Sequence, residues 1–206
     1  MSSPGIIILA AGASRRMGRP KQLLPWQGRS LLRQACETAL ETSLRPVVVV
    51  LGCEAEACGR ELTGLHVQPV INPDWSRGMG TSVACGIGAL ERQDPQAPGA
   101  LLMLVDQPDL TPAFVASILS RWMQGNSAIV ATQYGEGGGV PALFSRAYFT
   151  ELKALDSDRG ARQIIARERS VVAFMPPPHE LLDLDTPQLF ERRVTIAIPK
   201  ANAGAA

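Results

Sequence analysis

The segment from Ile6 to Trp26 joins a short apolar run to a loop rich in small residues and positive charge. Its sequence is IIILAAGASRRMGRPKQLLPW, which contains no acidic residue and four cations, Arg15, Arg16, Arg19 and Lys21. The planar fork of arginine and the point charge of lysine both bind phosphate oxygens. Successive backbone N–H groups in such a loop form a concave nest for an anion. The segment therefore predicts a phosphate cradle, with a solvated basic turn as the alternative.

The glycines of this loop match neither of the two common nucleotide-binding patterns. Gly18 is followed by Arg19, where a P-loop needs lysine, and Gly12-Ala13-Ser14 lacks the middle glycine of GxGxxG. We expect Gly12 and Gly18 to tolerate positive φ and to let the backbone approach a ligand closely. The loop thus predicts phosphate binding of another kind, and it disfavours a hydride-transferring dehydrogenase.

Two carboxylates occupy positions where they could meet this loop. Asp106 directly follows the apolar run ALLMLV (100–105), and Asp185 lies with Asp183 in DLDTPQ (183–188). Ligands of open α/β sheets lie outside the carboxyl ends of the strands, where the basic loop also begins. Because Mg²⁺ prefers one or two carboxylates plus phosphate oxygens, Asp106 and Asp185 predict a magnesium site. The alternatives are a turn residue for Asp106 and a helix N-cap for Asp185.

The elements that must position these residues alternate between strand and helix along the chain. Strands are predicted at 6–9, 47–51, 66–72, 100–105, 128–134 and 171–175. Helices are predicted from Ser30 and Thr111 as N-caps, near 54–62, from about Thr81, and at 146–155, 160–167 and 187–193. This alternation predicts an α/β sheet covered on both faces. We expect one domain over 1–198 and a flexible, Ala-rich tail over 199–206.

Composition narrows the function classes. The net charge is +1, but all six charged residues up to Cys36 are basic, so the charge is a local focus. That distribution favours a small anionic ligand over nucleic acid or an anionic membrane. The four cysteines form no CxxC pair, which disfavours a zinc site. No signal peptide or spanning segment is predicted, so the cytoplasm is the expected compartment.

The loop LAAGASRRMGRPK (9–21) resembles the signature LAAGxSxRMGxxK of the MobA-like, molybdenum-cofactor-type nucleotidyltransferases. Further blocks follow in family order and span nearly the whole chain: NPDWSRGMGTS (72–82), DQPDLT (106–111), GVPALF (139–144), DRGAR (158–162) and DLDTP (183–187). The branch that fits best is the molybdenum cofactor cytidylyltransferases. The resemblance implies a Rossmann-like fold with a mostly parallel mixed sheet. It also implies transfer of CMP from CTP to the terminal phosphate of molybdopterin, with Mg²⁺ as cofactor and pyrophosphate as product.

The resemblance assigns roles to particular residues. The nucleotide would meet the backbone of Leu9, Ala10, Ala11 and Gly12, and its base and ribose would meet Gly78, Thr81 and Ser82. Arg16 and Lys21 would hold the triphosphate and stabilise its charge, so both are candidate catalytic residues together with Asp106. Asp106 and Asp185 match the metal-binding carboxylates. Asn72 would shape the base pocket or, alternatively, serve as a turn residue before Pro73.

One position departs from the family pattern and concerns the acceptor. Many cofactor cytidylyltransferases have histidine before the proline of GHPxLF, whereas this chain has Val140. Arg159 and Arg162 are candidates for binding the acceptor phosphate, or are surface arginines. Two rivals remain: transfer to another phosphorylated acceptor, such as a sugar or polyol phosphate, and a non-catalytic protein that delivers molybdopterin. A molybdoenzyme or a maturation protein is the partner class that the resemblance implies.

Overall fold

The computed structural model describes residues 3–158 and 160–197, and its centre is a seven-stranded sheet. The strands of this sheet and of a small separate hairpin (β2 and β3) are β1 Gly5–Ala10, β2 Pro25–Trp26, β3 Arg29–Ser30, β4 Val47–Leu51, β5 Gln68–Ile71, β6 Gly99–Leu104, β7 Ile129–Tyr134, β8 Gly137–Ser145 and β9 Val172–Met175. The helices are α1 Leu31–Leu40, α2 Ala55–Glu61, α3 Met79–Gln93, α4 Pro112–Met123, α5 Phe149–Lys153, α6 Arg162–Arg167 and α7 Pro187–Ala197.

The sheet is mixed but mostly parallel, as predicted. Its order is β5-β4-β1-β6-β8-β7-β9, and only β8 runs antiparallel to its two neighbours within the described residues. Strand β1 lies at the centre, where parallel strands buried on both faces need continuous apolar sequence. Alternate side chains of β1 therefore serve two cores. Ile6 and Ile8 join one cluster, whereas Ile7 and Leu9 join the other.

Helices cover both faces of the sheet, which confirms the predicted α/β class. Residues of α1, α2, α4 and α7 pack with Ile6 and Ile8, and residues of α3, α5 and α6 pack with Ile7 and Leu9. The predicted caps are present, because the Ser30 and Thr111 hydroxyls accept from the backbone N–H of Arg33 and Phe114. None of the helices in the described part of the chain is long and apolar enough to cross a membrane.

Several boundaries differ from the prediction for physical reasons. Strand β8 includes the glycine run 137–139. Glycine is needed at 138 because a Cβ there would lie 2.5 Å from the ring of Phe174 in β9. The helix predicted over 146–155 is a 3₁₀ turn, Arg146–Tyr148, followed by α5. Helix α3 begins at Met79 rather than Thr81. The expected tail over 199–206 lies outside the described residues.

Two glycines of α3 differ in whether a side chain would fit, which allows a test of the contact between this helix and the sheet. A Cβ at Gly86 would lie 2.4 Å from Ile7 Cγ2, whereas a Cβ at Gly88 would meet only Arg92 Nη1, at 3.5 Å. We expect Gly86→Ala to lower the free energy of unfolding by about 1–3 kcal/mol through overpacking. Its matched control, Gly88→Ala, should raise it by about 0.5–1 kcal/mol through helix propensity. Urea unfolding of both variants measures these free energies. Equal changes in the two variants would contradict the close packing of Gly86 against Ile7.

Candidate active site

The carboxyl ends of β1 and β6 bring the basic loop and the carboxylates together. The loop follows Ala10 of β1, and Asp106 lies two residues beyond the end of the adjacent strand β6. The C-terminal segment reaches the same place because the Leu184 N–H donates to the Asp106 carbonyl over 3.0 Å. Asp185 is thereby fixed beside Asp106, although 79 positions separate them in the chain.

Lys21 lies between the two carboxylates at the centre of this site. Its Nζ donates to Asp106 Oδ2 and, over 2.8 Å, to Asp185 Oδ1. Arg16 Nη2 donates to the other Asp185 oxygen over 2.7 Å, while most of the Arg16 side chain stays exposed. The result is a chain of alternating charges, Arg16–Asp185–Lys21–Asp106, which we call the ion-pair chain. It places the predicted catalytic and metal-binding side chains in one cluster.

The ion-pair chain keeps its members charged. Burial alone would lower the pKa of Lys21, but the charges and hydrogen bonds of Asp106 and Asp185 outweigh it and raise that pKa. Burial likewise acts to raise the pKa of Asp185, yet Lys21 and Arg16 bring it below its ordinary value. Desolvation and the neighbouring Asp106 raise the pKa of Asp183, and the hydrogen bond from Gln107 and the charge of Lys21 do not outweigh them. Lys21 and Asp185 therefore remain ionised at neutral pH.

Gln22, which the sequence did not single out, holds the basic loop in shape. Its side chain is buried, and Nε2 donates to the carbonyls of Ala10 and Gly12, over 2.7 Å each. Ser14 adopts the left-handed conformation, with φ of 53°, and its hydroxyl accepts from the Lys21 N–H. Gly18 also has positive φ, at 71°, but Gly12 does not. Gln22 therefore joins two carbonyls at the point where the loop leaves the sheet.

A cavity of about 400 Å³ opens above the loop, and we call it the nucleotide cavity because of its size and lining. Eight of the predicted site residues line it: Leu9, Ala10, Ala11, Gly12, Lys21, Gly78, Ser82 and Asp106. Arg16, Thr81 and Asp185 do not line it, whereas Arg15, the neighbour of Arg16, does. A Cβ at Gly12 would meet no protein atom within 4 Å, so that position is open toward the cavity.

Thr81 and Asn72 form the support of one cavity wall. Asn72 is buried, and its amide donates to the hydroxyls of Thr81 and Ser82 over 2.9 and 3.0 Å. The Thr81 hydroxyl in turn donates toward the Gly78 carbonyl, 2.9 Å away. Gly78 itself has no room for a side chain, because a Cβ would lie 2.4 Å from the Asp158 backbone nitrogen. Asn72 and Thr81 thus hold this wall in position through their hydrogen bonds, and Gly78 and Ser82 form its surface toward the cavity.

A second cavity of about 420 Å³, which we call the side cavity, adjoins the first. Four residues line both: Leu9, Met79, Leu104 and Asp158. Val140 and Arg162, the two described residues that the sequence placed on the acceptor side, line the side cavity. Arg159 lies outside the described residues, so its predicted role stays a prediction.

The carboxylates fit a divalent cation that arrives with phosphate. Asp106 Oδ1 is buried and has no hydrogen-bond partner in the structure, which leaves an acceptor available to a cation. In the described parts of the chain, no three His, Cys, Asp or Glu side chains form a group that could hold a metal. A cation at Asp106 and Asp185 would therefore need phosphate oxygens to complete its ligands.

A family model described as the MobA-like NTP transferase domain matches residues 6–171. The chain belongs to this family. It is thus a nucleotidyltransferase, and the predicted family is confirmed. Relatives include the purine catabolism protein PucB of Bacillus subtilis, 30% identical over 93% of this chain and 97% of that protein. The molybdenum cofactor cytidylyltransferase of Escherichia coli is 26% identical over 92% of this chain and 95% of that protein.

A third relative has an unexpected name. The nicotine blue oxidoreductase of Paenarthrobacter nicotinovorans is 42% identical over 130 residues, which are 61% of this chain and 60% of that protein. Among solved structures, Rv0371c of Mycobacterium tuberculosis superimposes with a TM-score of 0.78 at 31% identity, covering 95% of this chain and 99% of that chain. Relatives of this chain therefore carry the names of different activities, and family membership alone leaves the substrates open.

Gln22 offers a test of how the MobA-like loop is held. We expect Gln22→Leu to lower the free energy of unfolding by about 1–3 kcal/mol, since two carbonyls lose their donor. Amide hydrogen exchange should also become faster over residues 11–18. The matched control is Gln133→Leu, because Gln133 is exposed and its side chain donates to the carbonyl of the nearby loop residue Gly135. Unchanged exchange in the loop of Gln22→Leu would show that Gln22 does not hold it.

Proposed function

We propose that this chain transfers CMP from CTP to the terminal phosphate of a molybdopterin-type cofactor and releases pyrophosphate. The observation that carries the proposal is the ion-pair chain at the edge of the nucleotide cavity, in a member of a nucleotidyltransferase family. The choice of CTP and of the cofactor is supported by the likeness to the E. coli cytidylyltransferase over 92% of this chain. The ordered sequence blocks described above support the same choice.

The triphosphate would take over the cations of the ion-pair chain. Lys21 and Arg15 line the nucleotide cavity, and Arg16 is joined to Lys21 through Asp185. Phosphate oxygens are stronger partners for Lys21 than a shared carboxylate, because they carry more charge and several acceptors. The backbone of Leu9–Gly12 would meet the base and sugar, and the open side of Gly12 leaves room for close approach. Gly78 and Ser82 form the opposite wall.

Asp106 and Asp185 would hold Mg²⁺ together with the phosphates, as the unpaired Asp106 Oδ1 favours. Bound there, the ion supplies charge neutralisation and Lewis-acid polarisation of the phosphate oxygens. A related structure, Rv0371c of M. tuberculosis at 27% identity, is described as a complex with manganese, which supports a divalent cation in this family. Lys21, which now neutralises these carboxylates, would then be available to bind the triphosphate.

The reaction requires positioning and charge stabilisation from the protein, and no protein nucleophile. An oxygen of the acceptor phosphate forms a bond to the α-phosphorus of CTP. The bond from that phosphorus to the α–β bridging oxygen breaks, and its electron pair leaves with pyrophosphate. The acceptor phosphate is already ionised at neutral pH, so no general base is needed. Lys21 and Arg16 stabilise the negative charge that grows on the leaving group.

Three other functions are weighed against specific observations. A related transferase with a sugar or polyol phosphate as acceptor is favoured by Val140, which departs from the cofactor-enzyme pattern. An oxidoreductase is favoured by the 42% identity to the P. nicotinovorans protein over 130 residues. A carrier that delivers molybdopterin without transferring a nucleotide would not need Lys21 between two carboxylates. Purified protein incubated with CTP, Mg²⁺ and molybdenum cofactor separates these, with product mass and pyrophosphate as readouts. Conversion of nicotine blue, followed by product mass, tests the oxidoreductase.

Asp106→Asn tests the carboxylate role. We expect the variant to fold normally and to lose about 100-fold or more in turnover, because a metal ligand and the partner of Lys21 are weakened together. The matched control is Asp109→Asn in the same segment, whose carboxylate pairs with Arg193 and lines neither cavity. Single-turnover transfer at saturating Mg²⁺ measures the effect. Near-normal turnover of Asp106→Asn would show that the Asp106 carboxylate is not needed for transfer.

The choice of base depends on Ala11. Its methyl group is buried at the cavity wall, packed beside Gly52 and Trp75, and a purine needs more room there than a pyrimidine. We expect CTP to exceed UTP, ATP and GTP by about tenfold or more in kcat/KM. Uracil reverses the donor and acceptor pattern of cytosine, so a site built for one leaves polar groups unpaired with the other. Ala11→Gly should relax discrimination against GTP. Faster turnover with GTP or ATP than with CTP would contradict the choice of CTP but not the proposal of nucleotidyl transfer.

A further inference from the structure

Two carboxylates of the C-terminal segment lie two positions apart, yet they have different partners. Asp183 and Asp185 flank the buried Leu184 in a three-residue turn, closed by a 2.9 Å hydrogen bond from the Asp185 N–H to the Asp183 carbonyl. The Asp185 carboxylate pairs with Lys21, whereas the Asp183 carboxylate accepts a hydrogen bond from Gln107 Nε2 over 2.8 Å. The turn therefore offers two carboxylates, of which the ion-pair chain uses one.

The unused carboxylate lies within the electrostatic reach of Lys21. Desolvation and the charge of Asp106 raise the pKa of Asp183, and the charge of Lys21 acts against them. Asp183 is exposed, and within the described residues its carboxylate has no hydrogen-bond or ion-pair partner other than Gln107. If that bond were lost, Asp183 could turn toward Lys21, because an opposite charge at close range stabilises a carboxylate. The two carboxylates are therefore competitors for one lysine.

The surroundings of Gln107 require its amide to present a donor to Asp183. Gln107 is only 5% exposed, and Nε2 also donates to the Tyr134 hydroxyl over 3.0 Å. That hydroxyl donates its own proton to the Val140 carbonyl over 2.8 Å, and an ionised carboxylate can only accept, so both neighbours of the amide nitrogen are acceptors. Gln107 Oε1 is left buried without a partner. Such an unpaired atom is rare, which marks the two N–H groups as the end of the side chain that the fold uses.

We propose that Gln107 is a positioning residue that assigns Asp185, rather than Asp183, to the ion-pair chain. Its neighbour Asp106 supplies the other carboxylate of that chain, and the Asp106 carbonyl accepts from the Leu184 N–H over 3.0 Å. Two consecutive residues thus fix the turn, one through its backbone and one by holding the Asp183 side chain aside. The inference rests on the proposed nucleotidyl transfer, because Asp185 serves that reaction only by lying where the triphosphate and its cation bind.

The two possible pairings would place the lysine differently. Lys21 lines the nucleotide cavity and does not line the side cavity, whereas Asp183 lines the side cavity and does not line the nucleotide cavity. A bond between Lys21 and Asp183 would therefore draw the lysine away from the triphosphate and leave Asp185 with Arg16 alone. A misplacement of about 1 Å can lower a rate about 100-fold, so the choice of partner affects turnover.

The variant Gln107→Met tests this assignment, because it keeps an unbranched side chain of similar length and removes both donors. With CTP, Mg²⁺ and molybdenum cofactor at saturation, we expect kcat for pyrophosphate release to fall about tenfold or more. Adding Asp183→Asn to the same chain should recover most of that loss, since the competing charge is gone. A residue with a merely structural role would give a double variant at least as impaired as Gln107→Met. The matched control is Gln133→Met, an exposed site that lines neither cavity.

Crystal structures of the metal-free variants test the assignment without activity. In Gln107→Met we expect Lys21 Nζ to bond Asp183, and in the double variant we expect it to bond Asp185 again. Urea unfolding checks that the variants fold. If Gln107→Met does not fold, Gln107→Glu replaces it at nearly unchanged size. Its carboxylate repels Asp183, and the amide introduced by Asp183→Asn can donate to it, so the same loss and the same recovery are expected.

The outcomes separate this inference from the proposed function. Recovery of turnover by Asp183→Asn, together with the move of Lys21 to Asp183 in Gln107→Met, supports it. A double variant that is no more active than Gln107→Met, or a Gln107→Met structure in which Lys21 still bonds Asp185, overturns it. If the wild-type chain released no pyrophosphate from CTP, the proposed function would be rejected, and the crystal structures would still decide the role of Gln107.

Discussion

Two carboxylates from distant parts of the chain lie close together, and a single lysine makes that arrangement stable. Asp106 and Asp185 would repel each other in a partly buried site, but Lys21 donates to both. The lysine is brought there by the loop after β1, and the C-terminal segment is tied in by its bond to the Asp106 carbonyl. Any ligand that removes Lys21 would therefore need to leave another positive charge between the two carboxylates.

Much of the fold was predictable because its signals are local. Strand β4 matches its predicted bounds, 47–51, since five consecutive β-branched or leucine residues buried on both faces fit only a central strand. The caps at Ser30 and Thr111 were likewise visible in their own residues. Strand β8 was not predicted, because its Gly138 is explained by the Phe174 ring of β9, which leaves no room for a Cβ there. A long-range contact of this kind leaves no pattern in the local sequence.

The residues of the active site likewise divide into those with local sequence signals, which were predicted, and those whose partners are distant in the chain, which were not. The sequence placed Lys21, Asp106 and Asp185 at one sheet edge because strand ends and charges can be recognised one at a time. It did not single out Gln22 or Gln107, whose partners are loop carbonyls and a carboxylate that only folding brings near. A glutamine directly after Lys21 and another directly after Asp106 were the available signals, and neither is specific alone. The sequence could not show that Arg15 rather than Arg16 lines the nucleotide cavity. The directions of the two side chains are set by a 3₁₀ turn that follows Ser14 in the left-handed conformation.

The wall shared by the two cavities makes their ligands thermodynamically dependent on each other. Met79 is 46% exposed, and it stands on that wall with an unbranched, easily rearranged side chain. A molecule that moves this side chain from one cavity changes the free energy of binding in the other. Linkage requires the effect to be equal in both directions, so whatever factor the nucleotide applies to the affinity of its neighbour, the neighbour returns to the nucleotide.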